Sequence, residues 1–168
     1  MKKLYMLLAA VFISIFTAGA QNNWMKYEVS SKLSVRLPRA PILDDKVVMS
    51  RAHTPDSTLC IVSITDFKQS TGLDSAAILP YLSQPDFGEN LRKDMAAHMS
   101  DYIFSAAKPG KLNGYYTYSI DGDNPVEKRK CYALIVVIGQ YAYTFFSVLK
   151  YGADLKNKDE FFASIEVK

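Results

Sequence analysis

The chain has 168 residues, 49% of them hydrophobic and 22% charged, with a formal net charge of +3 at neutral pH. That length suits one domain with a core large enough to need no staples. The small positive balance excludes the strong basic field of a nucleic-acid binder.

The first twenty residues carry the pattern of a secretory signal peptide. Lys2 and Lys3 form a positive start, residues 4–17 an apolar run, and Ala18-Gly19-Ala20 a small-residue cleavage site. The apolar run is shorter than the roughly 20 residues that span a bilayer, and polar Gln21-Asn22-Asn23 follow it. Cleavage near Ala20 and export to the periplasm or beyond are therefore expected, leaving residues 21–168 as one α+β domain without a transmembrane segment. Cysteine is missing from the cleavage site, which argues against a lipid anchor. Losing Lys2 and Lys3, and no acid, lowers the formal charge from +3 to +1.

Beyond the leader, residues 24–29 and 32–37 alternate apolar and polar, predicting two short strands or one bent strand, and Pro38 and Pro41 then open a loop. Residues 46–52 alternate again. His53-Thr54-Pro55-Asp56-Ser57 is turn chemistry, and residues 59–66 form the next strand, predicted to pair with 46–52 as a hairpin. Residues 69–72 read as a polar loop. Asp74 is placed to cap a short helix running to Leu82. Pro85 and Asp86 suit the start of a longer helix, residues 86–99, whose stripe is Phe87, Leu91, Met95, His98, Met99 and Tyr102. A short strand at 102–107, a turn at Pro109-Gly110, a strand at 112–120 and a turn at 121–125 follow. Asn157, with Glu160 three residues on, resembles a capping box for a last helix that turns Phe161, Phe162 and Ile165 inward.

Residues 128–152 hold the densest run of β-branched and aromatic side chains, interrupted by Gly139-Gln140. Glycine at the first central position suits a two-residue type II′ turn, so Ile138 should face Tyr141 and the remaining pairs follow by counting outward. One face then carries Tyr132, Leu134, Val136, Ile138, Tyr141, Tyr143, Phe145 and Ser147. The other carries Cys131, Ala133, Ile135, Val137, Ala142, Thr144, Phe146 and Val148. Both are apolar, so both need cover. The second has small residues at 131, 133 and 142, which makes it the expected seat of the main helix. The predicted architecture is an α/β/α sandwich around a central, mostly antiparallel sheet, with strands 112–120, 128–138 and 141–150 as a meander.

Little in the chain points to catalysis or cofactors. Two histidines and two cysteines stand far apart, without C-x-x-C or H-E-x-x-H. Asp121-Gly122-Asp123-Asn124 resembles the opening of a calcium loop, but Val126 stands where that loop needs glycine and Tyr132 where it needs glutamate. There is no G-x-S-x-G elbow. His53 falls in a turn and His98 at the edge of a helix stripe, so a hydrolase is the least favoured reading. Cys60 and Cys131 both fall inside strands. An oxidising compartment permits a bridge, but buried free thiols are the favoured reading. Two sets of residues remain as binding candidates. Tyr115, Tyr116 and Tyr118, with Tyr141 and Tyr143, offer rigid area with polar tips. Lys128, Arg129 and Lys130 form a basic triplet, which Arg36 and Arg39 join only if the fold brings them there.

The order of elements resembles the PsbP-like superfamily. The residues concerned are Tyr27-Glu28-Val29 and Leu33-Ser34-Val35-Arg36-Leu37-Pro38, then Gly139, Tyr143 and Phe145, and the acidic–aromatic Asp159-Glu160-Phe161-Phe162-Ala163-Ser164-Ile165. That superfamily includes photosystem II extrinsic proteins, a Ran-binding nuclear-import factor and many small bacterial exported proteins. The resemblance implies an α/β/α sandwich and no shared active site, with members acting mainly by binding other proteins. The expected function is thus an exported, non-enzymatic accessory or binding protein acting through protein–protein contacts. The alternative is a small-ligand binder with a pocket between the main helix and the tyrosine-rich sheet face. No cofactor, metal or nucleic acid is expected.

Overall fold

A computed structural model describes residues 24–44 and 49–168. The leader predicted at 1–20 and the start of the strand predicted at 46–52 lie outside these residues.

The hairpin is the shared wall of two cores. Strands β9 (Arg129–Ile138) and β10 (Tyr141–Lys150) pair antiparallel with Ile138 opposite Tyr141, as the turn predicts. Gly139 has φ +61° while Gln140 stays at negative φ, the type II′ pattern. The turn is held by Gln140, whose side-chain nitrogen donates to Asp66 at 3.1 and 3.2 Å.

Around this hairpin an eight-stranded antiparallel sheet is built, in the order β3 (Ile42–Asp44), β4 (Met49–His53), β5 (Leu59–Asp66), β10, β9, β8 (Tyr115–Asn124) and β6 (Ile103–Phe104). Strand β7 (Lys108–Leu112) also pairs with β8. The β4–β5 hairpin and the β8-β9-β10 meander are both present as expected.

One face of the sheet presents Val62, Val136, Ile138, Tyr143 and Phe145. It is covered by β1 (Met25–Ser30), β2 (Leu33–Leu37) and β11 (Glu166–Val167), a separate small sheet, together with α4 (Lys156–Ala163). Helices alone were expected there; the two N-terminal strands do most of the covering, because Leu33, Val35 and Leu37 are fully buried. The other face presents Tyr118, Ile120, Ala133, Ile135, Val137 and Ala142 to α1 (Phe67–Thr71), α2 (Ser75–Ile78) and α3 (Pro85–His98). The main helix thus lies on the small-residue face, where Met95 reaches Ala133 and Ala142 within one cluster.

Several local expectations are corrected. Residues 69–72 are not a loop: Asp66 accepts from the Lys68 and Gln69 amides and starts α1, and Gly72 ends it at φ +79°. A short strand, β3, occupies part of the loop placed after Pro41. Pro109-Gly110 lies inside β7, not in a turn. The turn is Asn113-Gly114, with φ of 48° and 85° at its two central residues, the type I′ pattern that Asn-Gly favours. Proline is tolerated in β7 because the register puts its missing N–H on the unpaired outer edge. Residues 121–124 continue β8 rather than turning, since Gly122 lets Phe104 lie against the strand, and the turn follows at 125–128. Helix α4 begins at Lys156, whose amide bonds Asp154, and Asn157 is no cap.

The two thiols sit on opposite faces. Cys60 belongs to the small-sheet core, while the alternation of β9 places Cys131 on the helix side. Both are free and fully buried, and burial pushes both thiols up to about 12. The expected result is no reaction with a thiol reagent in the native state and two reactive thiols after denaturation without reductant. A native disulfide in the purified protein would contradict the placement.

Candidate functional site

The tyrosine candidates divide between the two faces of β8. Tyr115 packs half-buried against the small-sheet core. Tyr116 and Tyr118 point the other way, toward the helices. Tyr118 is 2% exposed, and its hydroxyl donates to the Leu82 carbonyl. Burial also raises its pKa. Replacing it by phenylalanine leaves that buried carbonyl without its partner, so Tyr118→Phe should lower stability by about 1–2 kcal/mol in denaturant melts. Tyr141 is 39% exposed, and Tyr143 is buried beside it at a ring separation of 6.3 Å.

Tyr116 and Tyr118 border a cleft of about 540 Å³ between the start of α3 and β7–β8. Its walls include Leu82, Pro85, Gly88, Ala107 and Pro109. Gly88 allows the close approach of α3, for a Cβ there would stand 3.0 Å from Ala107 and 3.2 Å from Tyr118. Among the described residues, the one charged group lining the cleft is Lys111, whose ammonium lies 4.9 Å from the Tyr116 ring centre. The expected pocket between main helix and tyrosine face therefore has a physical counterpart.

The basic triplet lies elsewhere. Eight residues of β8 separate Tyr116 from Asn124, which faces Arg129, so the two sets stand about 26 Å apart at roughly 3.3 Å per residue. Lys128, Arg129 and Lys130 are all exposed. Lys130 opposes Asp123 across the β8–β9 pair, and Arg129 is 3.3 Å from Glu127. Arg129 also lines a groove of about 290 Å³ with His53, Ser57, Leu59, Val148 and Lys150. Arg39 is drawn to the same place through a 2.9 Å bond from its Nε to the His53 carbonyl. Arg36 is not; it pairs with Lys26 across the small sheet.

That groove is one end of a longer strip that the sequence did not reveal. On the helix side of the sheet, Ala142, Thr144, Phe146, Val148 and Lys150 of β10 share a face with Leu59, Ile61, Ser63 and Thr65 of β5. Helices α1–α3 cover the strip only near Ala142, where Met95, Met99 and His98 border a hollow of about 400 Å³ with Thr144 and Phe146. Farther along, Leu59 and Ile61 remain half-buried with no described helix over them, while Phe146 stands at the border, packed against the helix-side core. Reading strands one at a time marks each as apolar on both faces, but cannot say which part of a face the helices leave bare.

Against these sites the catalytic candidates gain little. His53 is an exposed rim residue of the groove. The His98 ring approaches the Asp94 carbonyl oxygen of its own helix at 2.8 Å. Asp56 is tied to Thr54 and the Thr58 amide. Burial pushes its carboxyl up, yet these bonds, with one from Asn157, outweigh that and leave it below the ordinary value. Among the described residues, no three His, Cys, Asp or Glu side chains gather to hold a metal.

A solution structure of cyanobacterial PsbP (CyanoP) from Synechocystis sp. PCC 6803 matches at a TM-score of 0.64, covering 89% of this chain and 95% of that one, at 15% identity. The chain has a PsbP-like fold. A crystal structure from Bacteroides thetaiotaomicron VPI-5482 matches at a TM-score of 0.41, over 85% of this chain and 48% of that one, at 12% identity. No protein-family model matches the chain, and no curated protein matches it. Among the described residues, no helix is long and apolar enough to cross a membrane.

Proposed function

We propose that this is an exported, non-enzymatic accessory protein that works by binding another protein, and that the partly covered β5–β10 strip is where it binds. The observation that carries this reading is the half-buried row Leu59, Ile61 and Phe146 at the edge of the helix cover, ending in a cationic groove. An apolar strip rimmed by polar groups is the usual form of a recognition surface. The PsbP-like fold supports the same reading, since the sequence resemblance implies action by protein contact. The leader at residues 1–20 supports export.

The test is affinity capture from native extract with the mature domain and with Phe146→Asp, both checked for folding by circular dichroism. A specific partner retained by the first and lost by the second is expected. Capture that is indifferent to Phe146→Asp would move the contact elsewhere.

The cleft beside Tyr116 favours a second reading, a small-ligand binder. Its aromatic wall and single cation at Lys111 suit a compact apolar molecule bearing one negative charge. A thermal-shift screen in which Gly88→Val abolishes a stabilising hit would favour it.

A further inference from the structure

The groove at the end of the strip contains an arrangement that folding does not explain. Arg129 and Lys150 are direct cross-strand partners on β9 and β10. Counting from the two-residue turn, theirs is a non-hydrogen-bonded pair, the class whose side chains approach most closely. Like charges directly opposite each other destabilise a sheet. His53 lines the same groove, Arg39 is attached to the His53 carbonyl, and among the described residues no acidic side chain lines it. Glu127 reaches Arg129 from the turn at 3.3 Å, with both side chains about half exposed. An exposed pair of that kind is weak. Glu127 thus shows that a carboxylate can sit on Arg129, and is held loosely enough to be replaced.

We infer that this groove is a carboxylate-binding site, which takes an acidic residue at the end of an extended partner segment lying along the β5–β10 strip. This rests on the protein-contact reading above and adds the partner's chemistry. The floor of the groove, Leu59 and Val148, accepts the aliphatic stem of a glutamate, and Arg129 and Lys150 take its head. The volume of about 290 Å³ admits one or two side chains. Helices border the strip from Ala142 to Phe146, so the open part, from Phe146 to Lys150, runs about 13 Å, the reach of four extended residues. The cations lie at one end and Asp94 lines the hollow at the other, so charge also sets the direction of the segment.

The probe is a fluorescent octapeptide of alternating serine and valine ending in two glutamates. A matched peptide ending in two lysines and vesicles containing anionic phosphatidylglycerol are run beside it. The acidic peptide should bind and the basic one should not, with affinity falling as salt rises. Lys150→Glu should weaken binding at least tenfold, yet raise the melting temperature, because it turns a repulsive cross-strand pair into an attractive one. Glu127→Gln should strengthen binding by a few-fold. Equal binding of both peptides, lost in Phe146→Asp but unchanged in Lys150→Glu, would leave the protein-contact reading standing and overturn the carboxylate site. Binding of vesicles alone, sensitive to Lys150→Glu, would overturn it in favour of a lipid surface. Neither peptide binding, with no partner captured through Phe146, would remove both.

Discussion

Replacing Phe145 by alanine is expected to cost about 3–5 kcal/mol of unfolding free energy, the largest effect of any single truncation considered. Phe145 is fully buried on the small-sheet side of β10 and meets Phe161 of α4 edge-on, at a ring separation of 6.1 Å. Such a pair adds about 0.5–1.5 kcal/mol beyond the area it buries. The surroundings cannot collapse into the gap, because strands fix the floor at β9–β10 and the roof at β2. Urea melts of wild type and Phe145→Ala, with equal slopes, would measure the loss. A loss under 1 kcal/mol would mean that α4 and the small sheet do not close over this face.

The second large effect lies on the other side of the same wall. Ile120 is fully buried in β8 beneath the helices, and Ile120→Ala should cost about 2–5 kcal/mol. Phe145 and Ile120 stand two strands apart, roughly 10 Å, on opposite faces. Their losses should therefore add to within about 0.5 kcal/mol in the double variant. A coupling above 1 kcal/mol would argue that the faces do not enclose separate cores.

How much of this was legible follows from what each signal measures. Gly139-Gln140 set the hairpin register, and the size difference between its faces correctly placed α3 over Ala133 and Ala142, because alternation and turn chemistry are local. The same locality explains the errors. Asn113-Gly114 is a strong type I′ signal, but Pro109-Gly110 drew the turn a few residues upstream, and only pairing with β8 shows that Pro109 sits on an unpaired edge. The run Asp121-Gly122-Asp123-Asn124 has turn composition, but packing by Phe104 against Gly122 overrides it. Asn157 has the chemistry of a cap, yet it bonds Asp56 from inside the helix.

For the candidate sites, sequence named the residues and not their company. It grouped Tyr115, Tyr116 and Tyr118, which alternation then divided between faces. It singled out Lys128, Arg129 and Lys130, of which only Arg129 lines the cationic groove. Its partners His53 and Lys150 come from β4 and β10, and no spacing along the chain connects them. The partly open strip is a property of layer coverage, visible only once α3 is seen lying over β8–β9.

The most direct test is an NMR titration of the isotope-labelled mature domain with the acidic octapeptide. The account predicts that amide shifts cluster at His53, Ser57, Leu59, Ile61, Arg129, Phe146, Val148 and Lys150, and are abolished by Lys150→Glu. Shifts gathered instead at Gly88, Gly110, Lys111 and Tyr116, with the strip silent, would contradict it and place binding in the cleft beside α3.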